Sequence, residues 1–129
     1  MADEKKYKVA IVDDDRFLLN MYSLKLEKES IEVETIESGE DLLDRLKEGY
    51  RPDLILLDVI IPGLDGLELL AKIKNEKLAE GVKVAMLTNQ SDPEEIKKAE
   101  SLGAVGYIIK ASAVPSEVVE KIKGILSKK

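Results

Sequence analysis

The chain of 129 residues contains no cysteine and no histidine. The absence of cysteine excludes disulfides, thiolate nucleophiles and sulfur-based metal sites. The absence of histidine removes the usual general base and the commonest ligand of transition metals. A metal ion would therefore have to be held by oxygen atoms, which indicates Mg²⁺ or Ca²⁺.

The sequence also lacks a signal peptide and any apolar run long enough to cross a membrane, so we expect a cytoplasmic protein with no membrane partner. Basic residues are not in excess, because 20 lysines and arginines stand against 26 aspartates and glutamates, leaving a net charge of −6. Nucleic-acid binding needs a basic surface, so we expect no nucleic-acid partner. A protein partner with a basic patch is compatible with this charge.

Hydrophobic residues make up 44% of the chain and charged residues 36%, which together describe a soluble domain with a packed core and a charged surface. The sequence has no repeats, low-complexity segments or long linkers. The first predicted strand begins almost at the start of the chain, and the last predicted helix ends close to its finish. We therefore expect one domain over residues 1–129, with no separate output domain.

Short apolar runs alternate with amphipathic stretches along the whole chain. The runs rich in β-branched and aliphatic residues predict strands over residues 7–12, 31–36, 54–57, 82–87 and 106–109. The stretches with helical spacing of apolar residues predict helices over residues 16–29, 38–49, 66–74, 92–103 and 115–126. This alternation predicts an α/β fold with a parallel sheet and helices on both of its faces.

Three of the predicted helices carry local signals. In the first helix, apolar residues recur at near-helical spacing, namely Phe17, Leu18, Met21, Leu24 and Leu26. Ser38, with Asp41 three residues later, is typical of an N-cap. Asp92, Pro93 and the two glutamates that follow form a strong helix start, with a cap, a proline in the first turn and acids at the positive end.

Polar residues stand at the carboxyl ends of four of the five predicted strands, and this is the edge at which open parallel sheets bind ligands. Strand one ends in Asp13, Asp14 and Asp15, strand three in Asp58, strand four in Thr88 and strand five in Lys110. Three carboxylates that converge would repel one another, and a cation would relieve the repulsion. With few oxygen ligands available, Mg²⁺ is favoured over Ca²⁺.

The same set of groups suits phosphoryl transfer. A cation, an ammonium and a hydroxyl neutralise and orient phosphoryl oxygens, and a carboxylate is itself able to act as the nucleophile.

These residues resemble the signature of the response-regulator receiver family over residues 8 to about 125. The acidic opening and the run from Asp53 to Asp58 are similar to its metal and phosphorylation motifs, and the matching positions are Asp13, Asp14, Asp15, Asp53, Asp58, Pro62, Gly66, Thr88, Tyr107 and Lys110. The resemblance implies a flavodoxin-like, doubly wound five-stranded parallel sheet in the order 2-1-3-4-5 with five helices. It also implies a stand-alone member similar to chemotaxis receivers, active in a two-component system or phosphorelay.

By the same resemblance, Asp58 accepts a phosphoryl group from a phosphohistidine on a histidine kinase or phosphotransfer protein. Mg²⁺ would be held directly by Asp14, largely through water by Asp13, and also by Asp58 and the backbone carbonyl of Ile60. Catalysis would be limited to self-phosphorylation and self-dephosphorylation, so we do not expect an enzyme in the ordinary sense. The downstream target is not indicated by the sequence.

The resemblance further implies a switch. Thr88 and Lys110 would contact the phosphoryl oxygens, Thr88 would move towards the phosphate, and Tyr107 would turn inward. The face built from helix four, strand five and helix five would then change shape, as a population shift caused by a local change of charge.

The chain departs from the family pattern in two places. Lys110 is followed by Ala111, where the family usually has a proline, and a cis bond without proline costs about 3–4 kcal/mol. The sequence leaves the cis and trans alternatives open. Asn89 is larger than the usual residue after the threonine, and together with Gln90 and Ile60 we expect it to tune the rate at which water removes the phosphoryl group.

Two other functions remain open at this point. Asp13 and Asp15 after an apolar strand resemble the opening of haloacid-dehalogenase-type phosphatases, although Arg16 and Phe17 fit that motif poorly. A docking module that kept the fold without the switch is the other alternative. We interpret Asp15 and Arg16 as surface residues, and Pro62, Gly63 and Gly66 as turn formers without chemistry of their own.

Overall fold

A computed structural model of the chain describes residues 6–61, 63–89, 91–110 and 115–128. Within these ranges five strands alternate with five helices, in the order β1 (Lys8–Val12), α1 (Arg16–Glu27), β2 (Glu32–Ile36), α2 (Gly39–Lys47), β3 (Leu54–Leu57), α3 (Gly66–Asn75), β4 (Lys83–Thr88), α4 (Pro93–Ser101), β5 (Tyr107–Ile109) and α5 (Pro115–Ser127). The predicted alternation is confirmed, and the element ends differ only slightly from the predicted ones.

The strands form one parallel sheet in the order β2-β1-β3-β4-β5, which confirms the doubly wound, flavodoxin-like fold. The strand order reverses between β1 and β3, so the carboxyl ends of these two strands flank the switch point. Val12 of β1 is in register with Leu57 of β3, and the amide of Asp58 donates to the carbonyl of Val12 at 3.3 Å. Asp13 and Asp58 therefore leave the sheet side by side.

The core lies on both faces of the sheet. Because successive strand residues point to opposite faces, Ile55 and Leu57 pack with α2, α3 and α4, whereas Leu54 and Leu56 pack with α1 and α5. All four residues of β3 are inaccessible to solvent, as the continuous apolar run predicts for a central parallel strand. None of the helices in the described ranges is both long enough and apolar enough to span a membrane.

Side-chain caps begin the helices where the sequence predicts them. The hydroxyl of Ser38 accepts from the amide of Asp41 at 3.1 Å, and Oδ1 of Asp92 accepts from the amide of Glu94 at 3.0 Å. These bonds satisfy amides that have no partner within their own helix. Both predicted helix starts are therefore confirmed.

The apolar pattern of α1 does not coincide with its buried face. Leu19, Tyr22 and Leu26, spaced as on one helix face, are buried, whereas Phe17 is 78% exposed and Leu24 is 64% exposed. Apolar residues surround much of this helix, so periodicity alone does not select the side that meets the sheet. The helix also ends at Glu27, before the predicted residue 29, because the chain turns at Ser30 with a φ of 64°.

Candidate functional site

The carboxylate of Asp58 lies at the carboxyl end of β3, and two donors hold its Oδ1 atom. Its Oδ1 accepts from the hydroxyl of Thr88 at 2.6 Å and from the amide of Ile60 at 3.1 Å. Asp58 is only 9% exposed, and Thr88, the last residue of β4, is fully buried. The neighbouring strand and the loop after β3 thus fix the orientation of this carboxylate while leaving it a narrow opening to solvent.

Lys110 connects Asp58 to the end of β1. Its Nζ lies 2.7 Å from Oδ2 of Asp13 and 3.1 Å from Oδ2 of Asp58, and its side chain is 8% exposed. The other oxygen of Asp13 accepts from the amide of Asp15 at 3.0 Å. The structure therefore brings together side chains from the carboxyl ends of β1, β3, β4 and β5, as expected from the sequence.

The electrostatics of this cluster follow from its burial. Removal from water raises the pKa of the Asp13 carboxyl, although its hydrogen bond to Lys110 acts in the opposite direction. Burial by itself would lower the pKa of Lys110, but the hydrogen bond to Asp13 and the charges of Asp13 and Asp58 outweigh it and raise that pKa. Lys110 is therefore positively charged at neutral pH and stays close to both carboxylates.

An open pocket of about 270 Å³ gives solvent access to the cluster. Besides the four clustered residues, its walls include Asp14, Ile60 and Asn89, and Ile60 is 62% exposed. The pocket around Asp58 is thus lined by Asp14, Ile60 and Asn89, which the sequence analysis assigns to this site. Gln90, Pro62 and the bond between Lys110 and Ala111 lie outside the described residues.

The donor set at this edge suits Mg²⁺ better than a transition metal, because it consists of oxygen atoms. The expectation of three converging carboxylates holds only in part. In the described ranges no group of three or more acidic residues is arranged to hold a metal ion, since Asp13 and Asp58 both point to Lys110. Mg²⁺ is usually held through one or two carboxylates and keeps several waters, so the site fits it.

Two neighbouring predictions are confirmed in position. Asp15 is exposed and serves as the N-cap of α1, because its Oδ1 accepts from the amide of Phe17 at 3.0 Å. Arg16 is also a surface residue and pairs with Glu37 at 3.0 Å.

Tyr107, the first residue of β5, is partly buried and is absent from the pocket lining. Burial raises the pKa of its hydroxyl, and the charges of Glu95, Asp58 and Asp92 raise it further. Tyr107 packs against the same core cluster as Ala99 of α4.

The role predicted for Gly66 needs correction. Its φ is not positive, so the residue is not required for a turn. A Cβ at this position would instead lie 2.0 Å from the carbonyl oxygen of Asp58 and 2.9 Å from Cα of Val59. Gly66 thus allows α3 to begin directly against the backbone of Asp58, and its amide donates to the carbonyl of Val59 at 2.7 Å. In the sequence, the spacing from Asp58 to Gly66 indicated that Gly66 belongs to the site. The close approach of Gly66 to the backbone of Asp58 arises only in the tertiary structure.

Residues 9–123 match the response regulator receiver domain family. Among relatives, the chemotaxis protein CheY of Halobacterium salinarum is 35% identical over 92% of this chain and 96% of its own length. The phosphate regulon transcriptional regulatory protein PhoB of Rhizobium meliloti is 33% identical over 92% of this chain and 52% of its own length. The chain thus spans about half the length of this transcriptional regulator.

Solved structures share the fold over nearly the whole chain. A CheY-like response regulator receiver domain protein from Methanospirillum hungatei is 34% identical, with a TM-score of 0.83, and the match covers 95% of this chain and 94% of that one. The BeF3-activated DrrB receiver domain is 31% identical, with a TM-score of 0.80, over 96% of this chain and all of that one. These likenesses favour the interpretation of the strand-end cluster as a receiver site over the phosphatase alternative.

Proposed function

The chain belongs to the response regulator receiver domain family, whose members are signalling modules of two-component systems that generally use Mg²⁺ for phosphorylation, and from that premise we propose that Asp58 is its phosphoryl acceptor. The observation that carries this proposal is the arrangement around one carboxylate. Thr88, Lys110 and the amide of Ile60 all donate to Asp58 within 3.1 Å.

The donor in this reaction is a phosphohistidine on a histidine kinase or phosphotransfer protein. A carboxylate oxygen of Asp58 attacks phosphorus and forms an acyl phosphate, while the bond from phosphorus to the imidazole nitrogen breaks and the imidazole takes up a proton. The charged ammonium of Lys110 and the hydroxyl of Thr88 are close enough to Asp58 to be directed to the phosphoryl oxygens. Both groups come from buried positions, so little reorganisation is needed when charge develops.

Bound Mg²⁺ would neutralise phosphoryl oxygens, and Asp13, Asp14, Asp58 and the backbone carbonyl of Ile60 are the residues we assign to hold it. Asp13 and Asp58 already face a cation in this conformation, namely the ammonium of Lys110. Asp14 is exposed in the wall of the same pocket, where it can meet an incoming hydrated ion.

Phosphorylation would change the partners of Thr88, which now donates to Asp58. We assign Thr88 and Tyr107 to the switch, with α4, β5 and α5 forming the face that a target protein contacts. The physical basis is the charge added at Asp58, which shifts the equilibrium between two arrangements of the same packed elements. Ile60 and Asn89 stand exposed at the pocket and, with Gln90, are assigned to tuning the loss of the phosphoryl group.

The direct test is incubation of the chain with acetyl phosphate and Mg²⁺, followed by intact-mass measurement. Wild-type protein should gain one phosphoryl group, and Asp58→Asn should gain none. Asp53→Asn is the matched control, because Asp53 stands at the other end of β3 and binds the amide of Lys8 at 2.8 Å. Labelling of Asp58→Asn at the wild-type level would contradict the assignment, and failure of the wild type to label would favour the docking-module alternative.

A further inference from the structure

Lys83, the first residue of β4, donates hydrogen bonds from its ammonium group to the end of α5. Its Nζ lies 2.7 Å from the carbonyl oxygen of Ile125, in the last turn of the helix, and it also donates to the carbonyl of Lys128. Lys83 is partly buried, and the rest of β4 is buried. These bonds join groups that are 42 and 45 residues apart in the chain, so they depend on the tertiary structure.

The last turn of α5 benefits from such a donor. The final four carbonyls of a helix have no partner within it, and the negative end of the helix dipole lies there. Of the five helices in the described ranges, four carry a basic residue in their own last turn, and α5 carries none. The ammonium of Lys83 thus supplies, from the sheet, the cation that α5 lacks at this end.

A second contact holds the same turn. A Cβ at Gly106 would lie 3.0 Å from Cδ1 of Ile125, so this side chain packs directly on the backbone just before β5. Leu126, the next residue of α5, is buried in the core cluster between the sheet, α1 and α5. The last turn of α5 is therefore fixed by a hydrogen bond to β4, by a close contact before β5 and by burial in the core.

The strand β4 contacts α5 and Asp58 at opposite ends. Lys83 begins the strand at the amino edge, and Thr88, which donates to Asp58, ends it at the carboxyl edge. At about 3.3 Å per residue, the two residues are about 17 Å apart. Because the strand between them is buried and paired with β3 and β5, we expect a change of partner at Thr88 to leave Lys83 in place.

We propose that Lys83 anchors the last turn of α5 at the amino edge, so that phosphorylation of Asp58 moves α5 at its beginning and leaves its end in place. This inference rests on the proposed function, because it states how one element of the assigned target face moves. The 13 residues of α5 rise about 1.5 Å each, so its beginning lies about 20 Å from the anchored turn. Lys83 lies at the edge opposite to the reacting atoms and is thus a positioning residue.

The anchor is tested by amide hydrogen exchange of the unphosphorylated chain, followed by NMR. Lys83→Met keeps the apolar stem and removes the ammonium, so the amides in the last turn of α5 should exchange about tenfold faster. Lys123→Met is the matched control, because Lys123 lies on the same helix but pairs with Glu29 at the surface, and its exchange rates should stay within about twofold of wild type. Lys83→Arg, which retains a charged donor, should stay closer to wild type than Lys83→Met.

The movement of α5 is tested by adding beryllofluoride, a phosphoryl analogue, and Mg²⁺ to the wild-type chain. The amide signals of residues 116–119 should shift at saturation, whereas those of residues 125–127 should change little. In Lys83→Met the signals of the last turn should shift as well, because the turn is no longer held. The wild-type measurement needs no variant, so it stays decisive if Lys83→Met folds poorly.

Equal exchange rates in the last turn for Lys83→Met and Lys123→Met would overturn the anchor. Shifts of similar size at both ends of α5 in the wild-type chain would overturn its fixed end. A wild-type chain without any response to beryllofluoride would instead overturn the proposed function and the movement with it, while the exchange comparison would still decide on the anchor. The failures are therefore distinguishable.

Discussion

The two edges of the sheet carry their charges in different ways. At the carboxyl edge, Lys110 pairs with Asp13 and Asp58, and none of the three side chains is more than 12% exposed. At the amino edge, Lys123 pairs with Glu29 at 2.8 Å, and both side chains are more than 40% exposed. One edge thus buries an ion cluster, whereas the other displays an ordinary surface pair.

The cavity beside the exposed ion pair is larger than the cavity beside the buried ion cluster. The amino edge has the larger opening, about 470 Å³, between Tyr7, Ile31, Leu126 and the pair of Lys123 and Glu29. The carboxyl edge has about 270 Å³. Buried charge that several strands bring to one point therefore identifies the candidate site better than cavity volume does. The following substitutions test this difference between the edges, in order of decreasing expected effect.

The largest effect is expected from Gly66→Ala. A Cβ at residue 66 would overlap the backbone of Asp58, so the variant should lose about 3 kcal/mol of unfolding free energy and label poorly with acetyl phosphate. Gly124→Ala, in α5 near the amino edge, meets no atom within 4 Å and should gain about 0.5–1 kcal/mol. Urea unfolding measures the unfolding free energy of both variants. Equal losses of unfolding free energy would show that the backbone at the carboxyl edge is not packed more tightly than that at the amino edge.

Lys110→Met should lower stability by a similar amount. The substitution leaves Asp13 and Asp58 buried without their cation, which should cost about 3 kcal/mol in metal-free buffer. Lys123→Met removes a solvent-exposed pair and should change stability little. Thermal unfolding of the two variants makes the comparison, and similar melting temperatures would contradict the distinction between buried and surface pairs.

Asp13→Asn should raise the unfolding free energy at neutral pH in metal-free buffer, because it removes a buried charge while Lys110 keeps its pair with Asp58. Because burial raises the pKa of Asp13 above its ordinary value of 3.8, the folded state binds this proton more tightly than the unfolded state. The favourable contribution is complete below pH 3.8 and is lost as pH rises through the higher folded pKa, so ionised Asp13 lowers stability at neutral pH.

The gain from Asp13→Asn should therefore shrink as pH falls towards 3.8, which urea unfolding at several pH values would measure. Asp53→Asn, at the amino edge, should give no gain at neutral pH, because its carboxylate accepts a hydrogen bond from the amide of Lys8. A constant gain for Asp13→Asn across this range would rule out ionisation as its cause.

The smallest effect is expected from Asn89→Ala, a change in rate rather than in stability. Asn89 is exposed at the pocket that opens to Asp58, so its truncation should alter phosphorylation or dephosphorylation a few-fold, equivalent to about 1 kcal/mol or less in the barrier. The stability should stay at the wild-type level. Unchanged rates with acetyl phosphate would show that Asn89 does not control access.

Much of the fold was predictable because it depends on local signals. The alternation of apolar runs with amphipathic stretches predicts the element order, and the Ser38 and Asp92 caps predict two helix starts. The buried face of α1 was not predictable in the same way. Phe17 and Leu24 fit a helical pattern, but the sheet packs against Leu19 and Tyr22.

The chemical groups available to the site follow from the sequence alone: three aspartates after strand one, one after strand three, a threonine and a lysine at the ends of strands four and five, and no histidine. Three further features depend on tertiary structure: Lys110 bridges Asp13 and Asp58, Gly66 lies against the backbone of Asp58, and a buried Glu95 oxygen has no donor among the described residues. Lys110 and Asp13 are 97 residues apart in the chain. Periodicity and caps act within a few residues, whereas such contacts depend on strand order and register, which are set by the packing of the whole sheet.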